Sequence, residues 1–111
     1  MTEKKQLQCP MNLLMDSIGG KWKISLLWAL KETKRFSELQ KLFDGITQTM
    51  LTKQLRELER NGFVHREVYK QVPPKVEYSL TDMGTDFLPV LYRMNDWSTE
   101  HLKELKMKKQ N

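Results

Sequence analysis

Thr49, Lys53, Arg56 and Arg60 fall on one side of a helix drawn through residues 48–61 at ~100° per residue. Leu51, Leu55 and Leu58 fall on the other side, at spacings of four and three, as a stripe that must face a core. The polar side suits a polyanion with flat, hydrogen-bonding edges. A guanidinium can fork onto guanine O6 and N7, and an ammonium can reach guanine or phosphate. Gln48, Thr49 and Thr52 add amide and hydroxyl groups near the helix start, where base edges or phosphate oxygens could meet them. An isolated basic stripe is ordinarily a solvated helix face. The elements around this one decide between the two readings.

Thr47 can cap the helix and Gly62 stops it near Asn61. Upstream, Ser37-Glu38-Leu39-Gln40 reads as a capping box, with Ser37 as the cap and Gln40 reaching back. The helix it opens is ended within two turns by Asp44-Gly45. Only a few residues then join the two helices, as a helix-turn-helix demands. Phe63 to Tyr69 is rich in β-branched and aromatic residues and predicts a strand. Lys75 to Leu80 predicts a second strand, with Val76, Tyr78 and Leu80 on one face. Val72-Pro73-Pro74 forbids regular pairing between them and marks a ribbon tip. Tyr69, Lys70, Gln71 and Lys75 flank that tip.

Two short helices followed by a ribbon outline a winged helix-turn-helix, mainly α with a small β-hairpin wing. Such a unit spans about 37–61 for the helix pair and about 63–80 for the wing. The second helix of such a unit enters the major groove, while the wing tracks the backbone or enters the minor groove. Ser37 and Thr47 complete the candidate DNA contacts. The competing reading of the tip is a hairpin loop made polar for solubility.

The remaining segments would hold this unit and pair it with a copy. Pro10 to Ile18 predicts a short apolar helix, broken by Gly19-Gly20. Lys21 to Leu30 predicts a second, with Ile24, Leu27 and Trp28 at helical spacing, and Thr33 to Phe36 a turn or short strand. Thr81-Asp82 caps a final helix carrying Phe87, Leu88, Leu91, Met94, Trp97 and Leu102, with Pro89 as a potential kink. Residues 1–8 and the charged tail from Lys103 to Asn111 are expected to be loosely ordered. Leu13, Leu14, Leu91, Met94 and Trp97 exceed what so small a unit buries alone, and the competing reading, core packing within the monomer, is expected to claim some of them. The expectation is a homodimer formed by the N- and C-terminal helices, with two recognition helices about one DNA turn apart.

Composition is consistent with this reading. The 111 residues suffice for one domain over the whole chain, and a net charge of +5 favours a polyanionic partner. No apolar run approaches the ~18 residues of a membrane span, and the N-terminus lacks a signal-peptide core. One cysteine cannot build a disulfide framework, so the expected compartment is the cytoplasm. Gly19-Gly20-Lys21 is no phosphate loop, since Trp22 stands where Ser or Thr is required. His65 and His101 lack ligand-like companions, and the acidic residues read as ion-pair partners of nearby cations. Trp22, Trp28 and Trp97 read as core or interface anchors. No metal, cofactor or enzymatic arrangement is expected.

The order of several blocks resembles one family. They are Ile18-Gly19-Gly20-Lys21-Trp22, Arg35-Phe36-Ser37-Glu38-Leu39, Ile46-Thr47, Leu51-Thr52 and Leu55-Arg56-Glu57-Leu58-Glu59. Asn61-Gly62-Phe63-Val64 and Val72-Pro73-Pro74-Lys75-Val76-Glu77-Tyr78-Ser79-Leu80-Thr81 follow, with Gly84 beyond. From Cys9-Pro10 to Trp97 the chain is similar to the HxlR-type transcriptional regulators, a winged-helix branch near the MarR regulators. The resemblance implies a homodimeric regulator of an inverted-repeat operator, paired through its first and last helices. Cys9 matches an N-terminal cysteine that relatives use to sense oxidants or electrophiles. A helix start and the nearby Lys4, Lys5 and Lys21 would favour a reactive thiolate there, whereas most free cysteines are inert small hydrophobes. A resolving thiol would have to come from another subunit or a small molecule. Two other functions compete: a winged-helix module that docks a protein without specific DNA binding, and a small nuclease. The nuclease lacks any metal-ligand cluster or nucleophile–base pair.

Overall fold

The computed structural model describes residues 9–110, with side chains to 107. Helix α1 (Pro10–Ile18) opens on Pro10 in its first turn and drives Ile18 into the core. Helix α2 (Lys23–Ala29) is shorter than the apolar run predicts. Its buried stripe is also displaced: Lys23, Leu26, Leu27 and Leu30 face inward, while Ile24 and Trp28 are only half-buried.

The segment before the helix pair is a true strand, β1 (Lys34–Arg35). Helix α3 (Phe36–Leu42) follows, and α4 (Gln48–Arg60) is the second helix of the pair. The strands β2 (Val64–Tyr69) and β3 (Lys75–Leu80) form the ribbon. They are antiparallel, with Val64 opposite Leu80 and Tyr69 opposite Lys75. β1 pairs with the other edge of β3, Lys34 opposite Tyr78, so the expected ribbon is a three-stranded sheet of order β1-β3-β2. This places Tyr78 in the central strand, buried, and ties the start of α3 to the wing.

The capping box before α3 is shifted from its predicted place. Arg35 is the cap, and its N–H donates to Glu38 Oε1 at 2.8 Å. Ser37 lies inside the first turn, and Gln40 Nε2 donates instead to the Ile46 carbonyl at 3.3 Å, bracing the inter-helix turn. Strand pairing of Arg35 fixes the helix start, which local cap preference alone does not. Gly45 takes φ +87 in that turn, a conformation L side chains rarely adopt. Thr47 caps α4 as predicted, accepting from the Met50 N–H at 3.0 Å.

The predicted final helix is three helices. Thr81 caps α5 (Asp82–Asp86), where Gly84 is required because a Cβ would lie 2.3 Å from the Phe63 carbonyl oxygen. Pro89 does not kink a continuous helix. It sits in the first turn of α6 (Leu88–Glu100), where its missing N–H leaves no bond unmade, and the break falls at Phe87. The charged tail is also helical, as α7 (Leu102–Gln110), up to the last described residue.

Leu51, Leu55 and Leu58 of α4 are fully buried against Leu26, Leu27, Leu30 and Leu39. This core seats α4 and leaves its other side free. Among the described residues no helix is long and apolar enough to cross a membrane.

Candidate nucleic-acid interface

The leucine stripe sets the roll of α4, and the roll sets what points outward. Gln48, Thr49, Lys53, Arg56 and Arg60 are exposed, and Thr52 is half-buried at the edge. Lys53, Arg56 and Arg60 make no salt bridge among the described residues. The two carboxylates at the flanks of this face are drawn off it. Glu57 accepts from Lys23 Nζ of α2 at 2.5 Å on one flank. Glu59 accepts from Arg66 Nε of β2 at 3.4 Å on the other. Hydrogen bonding by Lys23 holds the Glu57 carboxyl below the usual range, opposed by its partial burial and helped by the charges of Lys53 and Arg60. The outward face therefore carries three free cations, flanked by neutralised carboxylates and an exposed Thr-Gln start. That is the charge pattern a phosphate-lined groove selects.

At the wing, Tyr69 and Lys75 are the last paired rung. Lys75 Nζ lies 3.3 Å from Glu77 Oε2 and 4.8 Å from the centre of the Tyr69 ring. Hydrogen bonding to Glu77, and its charge, hold the Tyr69 phenol above its usual value. Tyr69 and Lys75 thus stiffen the base of the tip. The exposed tip itself is Lys70-Gln71-Val72-Pro73-Pro74, with Val72 99% exposed. Ser37 is exposed on α3.

The expected interface residues divide. Leu91 is only 3% exposed and belongs to the core of the chain, and Leu14 packs partly against that core. For Leu91 the core reading therefore holds, while Leu14 stays half-buried. Leu13, Met94 and Trp97 are exposed, joined by Met11 and Val90. Trp97 stacks on His101 at 4.3 Å, while Trp22 and Trp28 pack against the core. Cys9 is exposed at the cap position of α1, so it is no buried packing residue. Lys21 Nζ lies 4.9 Å from the centre of the Trp22 ring, and Lys4 and Lys5 lie outside the described residues. His65 is on an exposed strand position, 2.9 Å from Glu67.

Sequence reasoning missed Lys23, the one charged residue buried among those described. The signal was present: positions 23, 26, 27 and 30 share a helical stripe, so a lysine there must either snorkel or find a carboxylate. Arg66 was missed because its partner is set by how the ribbon packs on α4.

A short helix, a tight turn, a cationic helix seated on leucines and a ribbon beside it together define a winged helix-turn-helix DNA-binding protein. The chain belongs to the HxlR-like helix-turn-helix family, whose pattern matches residues 17–106, and so is a helix-turn-helix transcriptional regulator and not an enzyme. It is 58% identical over 94 residues to the HTH-type transcriptional regulator YdeP of Bacillus subtilis (strain 168), covering 84% of this chain and 73% of that one. It is 46% identical over 117 residues to YybR of the same organism, covering 100% and 94%. Among solved structures it is similar to the redox regulator HypR. The reduced form matches with TM-score 0.84 at 48% identity, over 89% of this chain and 99% of that one. The oxidized form gives 0.78 at 52% identity, over 83% and 96%.

Proposed function

We propose that this regulator acts as a homodimer on an inverted-repeat operator in double-stranded DNA, and that oxidants or electrophiles switch it through Cys9. The face of α4 carries the proposal, because its cations stand free while its flanking carboxylates are paired. Gln48, Thr49, Thr52, Lys53, Arg56 and Arg60 would meet bases and phosphates in the major groove, with Ser37 and Thr47 near the backbone. Lys70 and Gln71 at the tip would meet the backbone beside it, on a base made rigid by Tyr69 and Lys75.

A second copy is supported by shape and surface. The radius of gyration is 16.3 Å, against about 13 Å for a compact chain of this length. Met94, Trp97, Leu102 and Leu105 stay exposed along α6 and α7. A redox response is supported by the exposure of Cys9 and by the likeness to HypR. With no second cysteine in the chain, oxidation would join Cys9 to the Cys9 of another subunit or to a small thiol.

Selection of bound sequences from random duplex DNA, with the protein first reduced and then treated with diamide, tests all three parts. An enriched inverted repeat with half-sites about one turn apart supports the dimeric reading. A change in enrichment on oxidation that Cys9→Ser abolishes supports the switch. No enrichment in either state sinks specific DNA binding and favours a module that docks a protein.

A further inference from the structure

We infer that Lys23 keeps the DNA-facing cations of α4 free by holding the Glu57 carboxylate away from Lys53 and Arg60. This rests on the proposed DNA contact of α4 and assigns Lys23 a positioning role within it. On the helix, Glu57 is four residues after Lys53 and three before Arg60. Both spacings bring side chains together on one helix edge, where opposite charges attract each other weakly. Here they do not pair. Glu57 bonds across the helix interface to Lys23, at 2.5 Å, and neither Lys53 nor Arg60 comes within salt-bridge distance of any carboxylate among the described residues. The fields of both cations still act on Glu57, so they stand near enough to compete for it.

Lys23 is well placed to win that competition. Its stem lies on the buried stripe of α2 with Leu26, Leu27 and Leu30, so few rotamers remain open to it. Its side chain is only 11% exposed, so its ammonium needs an acceptor close by, and Glu57 supplies one in a partly buried bond. Lys53 and Arg60 are exposed, and pairing with Glu57 would cost them rotamer freedom that Lys23 has already lost on folding. Removing the Lys23 charge would release Glu57 to its i−4 and i+3 neighbours. A carboxylate would then stand among the groups that meet phosphate, and one or two cations would be taken from the DNA.

The test measures binding of a fluorescein-labelled duplex of selected sequence, and of a scrambled one, across a salt series. Lys23→Gln should weaken binding roughly two- to fivefold, the strength of two helix-edge pairs competing with phosphate. The slope of log affinity against log salt should become shallower by about 0.9 for each cation withdrawn. Lys23→Gln/Glu57→Gln should return both to wild-type values, and Lys23→Arg should leave both unchanged. Lys103→Gln on α7 removes the same net charge far along the chain and should not alter the slope. Circular dichroism confirms folding of each variant. Lys23→Met, an apolar replacement suited to a buried site, takes the place of Lys23→Gln if that variant unfolds. A Lys23 variant with wild-type affinity and slope overturns the inference, as does a double variant no better than the single one. If the wild-type protein binds neither duplex, the DNA reading itself has failed.

Discussion

Arg56 gives the sharpest test of how this protein meets DNA. It is exposed on the face of α4 opposite the buried leucines and makes no salt bridge among the described residues. Arg56→Ala should therefore change folding stability by no more than ~0.5 kcal/mol, the usual range for a surface site without partners. Its effect on binding depends on what the guanidinium reaches. A bidentate fork on guanine is worth about 1–3 kcal/mol, so Kd for the selected duplex should rise roughly 5- to 150-fold while Kd for a scrambled duplex barely moves. A phosphate contact would weaken both duplexes alike and reduce the salt slope by about 0.9. Arg56→Lys separates the two, since it keeps the charge and loses the fork. We expect the guanine pattern: specific affinity lost in both variants, and the slope retained in Arg56→Lys. Fluorescence anisotropy at several salt concentrations, beside thermal melts, reads all of these quantities. A folded Arg56→Ala protein whose Kd for the selected duplex stays within about twofold of wild type would remove Arg56 from the DNA contact and refute the guanine fork.

The other predictions follow from particular contacts. Leu91→Ala removes a side chain from the core and should cost roughly 2–5 kcal/mol in a denaturant melt. Trp97→Glu, at a site 52% exposed, should leave the chain folded but shift sedimentation of the proposed dimer to monomer; a dimer that persists would remove α6 from the proposed interface. Thr47→Ala deletes the cap bond to the Met50 N–H and should cost roughly 1 kcal/mol, with Thr47→Asn recovering most of it. Because Lys23 lowers the folded value of Glu57, the pair contributes in full above the ordinary glutamate range and is lost as pH falls through the folded value. Wild type should therefore lose more stability than Lys23→Gln/Glu57→Gln between neutral pH and strong acid, and equal losses would refute the assignment.

Much of this fold was legible because its signals are local. The period of Leu51, Leu55 and Leu58 determined which side of α4 is buried, and so which residues face out. Thr47 and the cationic positions of α4 followed from the same short window, as did the ribbon from β-branched runs around two prolines. Elements fixed by distant partners were not legible. Arg35 caps α3 because β1 pairs with β3, some forty residues on, and no property of Ser37 announces that. The displaced stripe of α2 hid Lys23 behind the more conspicuous Ile24 and Trp28.

What the sequence determined by itself is therefore which face of α4 is buried and the charge its other face presents, since a helical period projects residues onto faces without regard to the rest of the chain. Only the tertiary structure decided which of those charges are free. Glu57 and Glu59 lie on α4 beside its cations, yet Lys23 from α2 and Arg66 from β2 take them, through packing that brings residues far apart in the chain within hydrogen-bond distance. The same packing sent Leu91 inward and left Trp97 outside, because burial depends on which neighbour covers a face, and helical period alone does not name that neighbour.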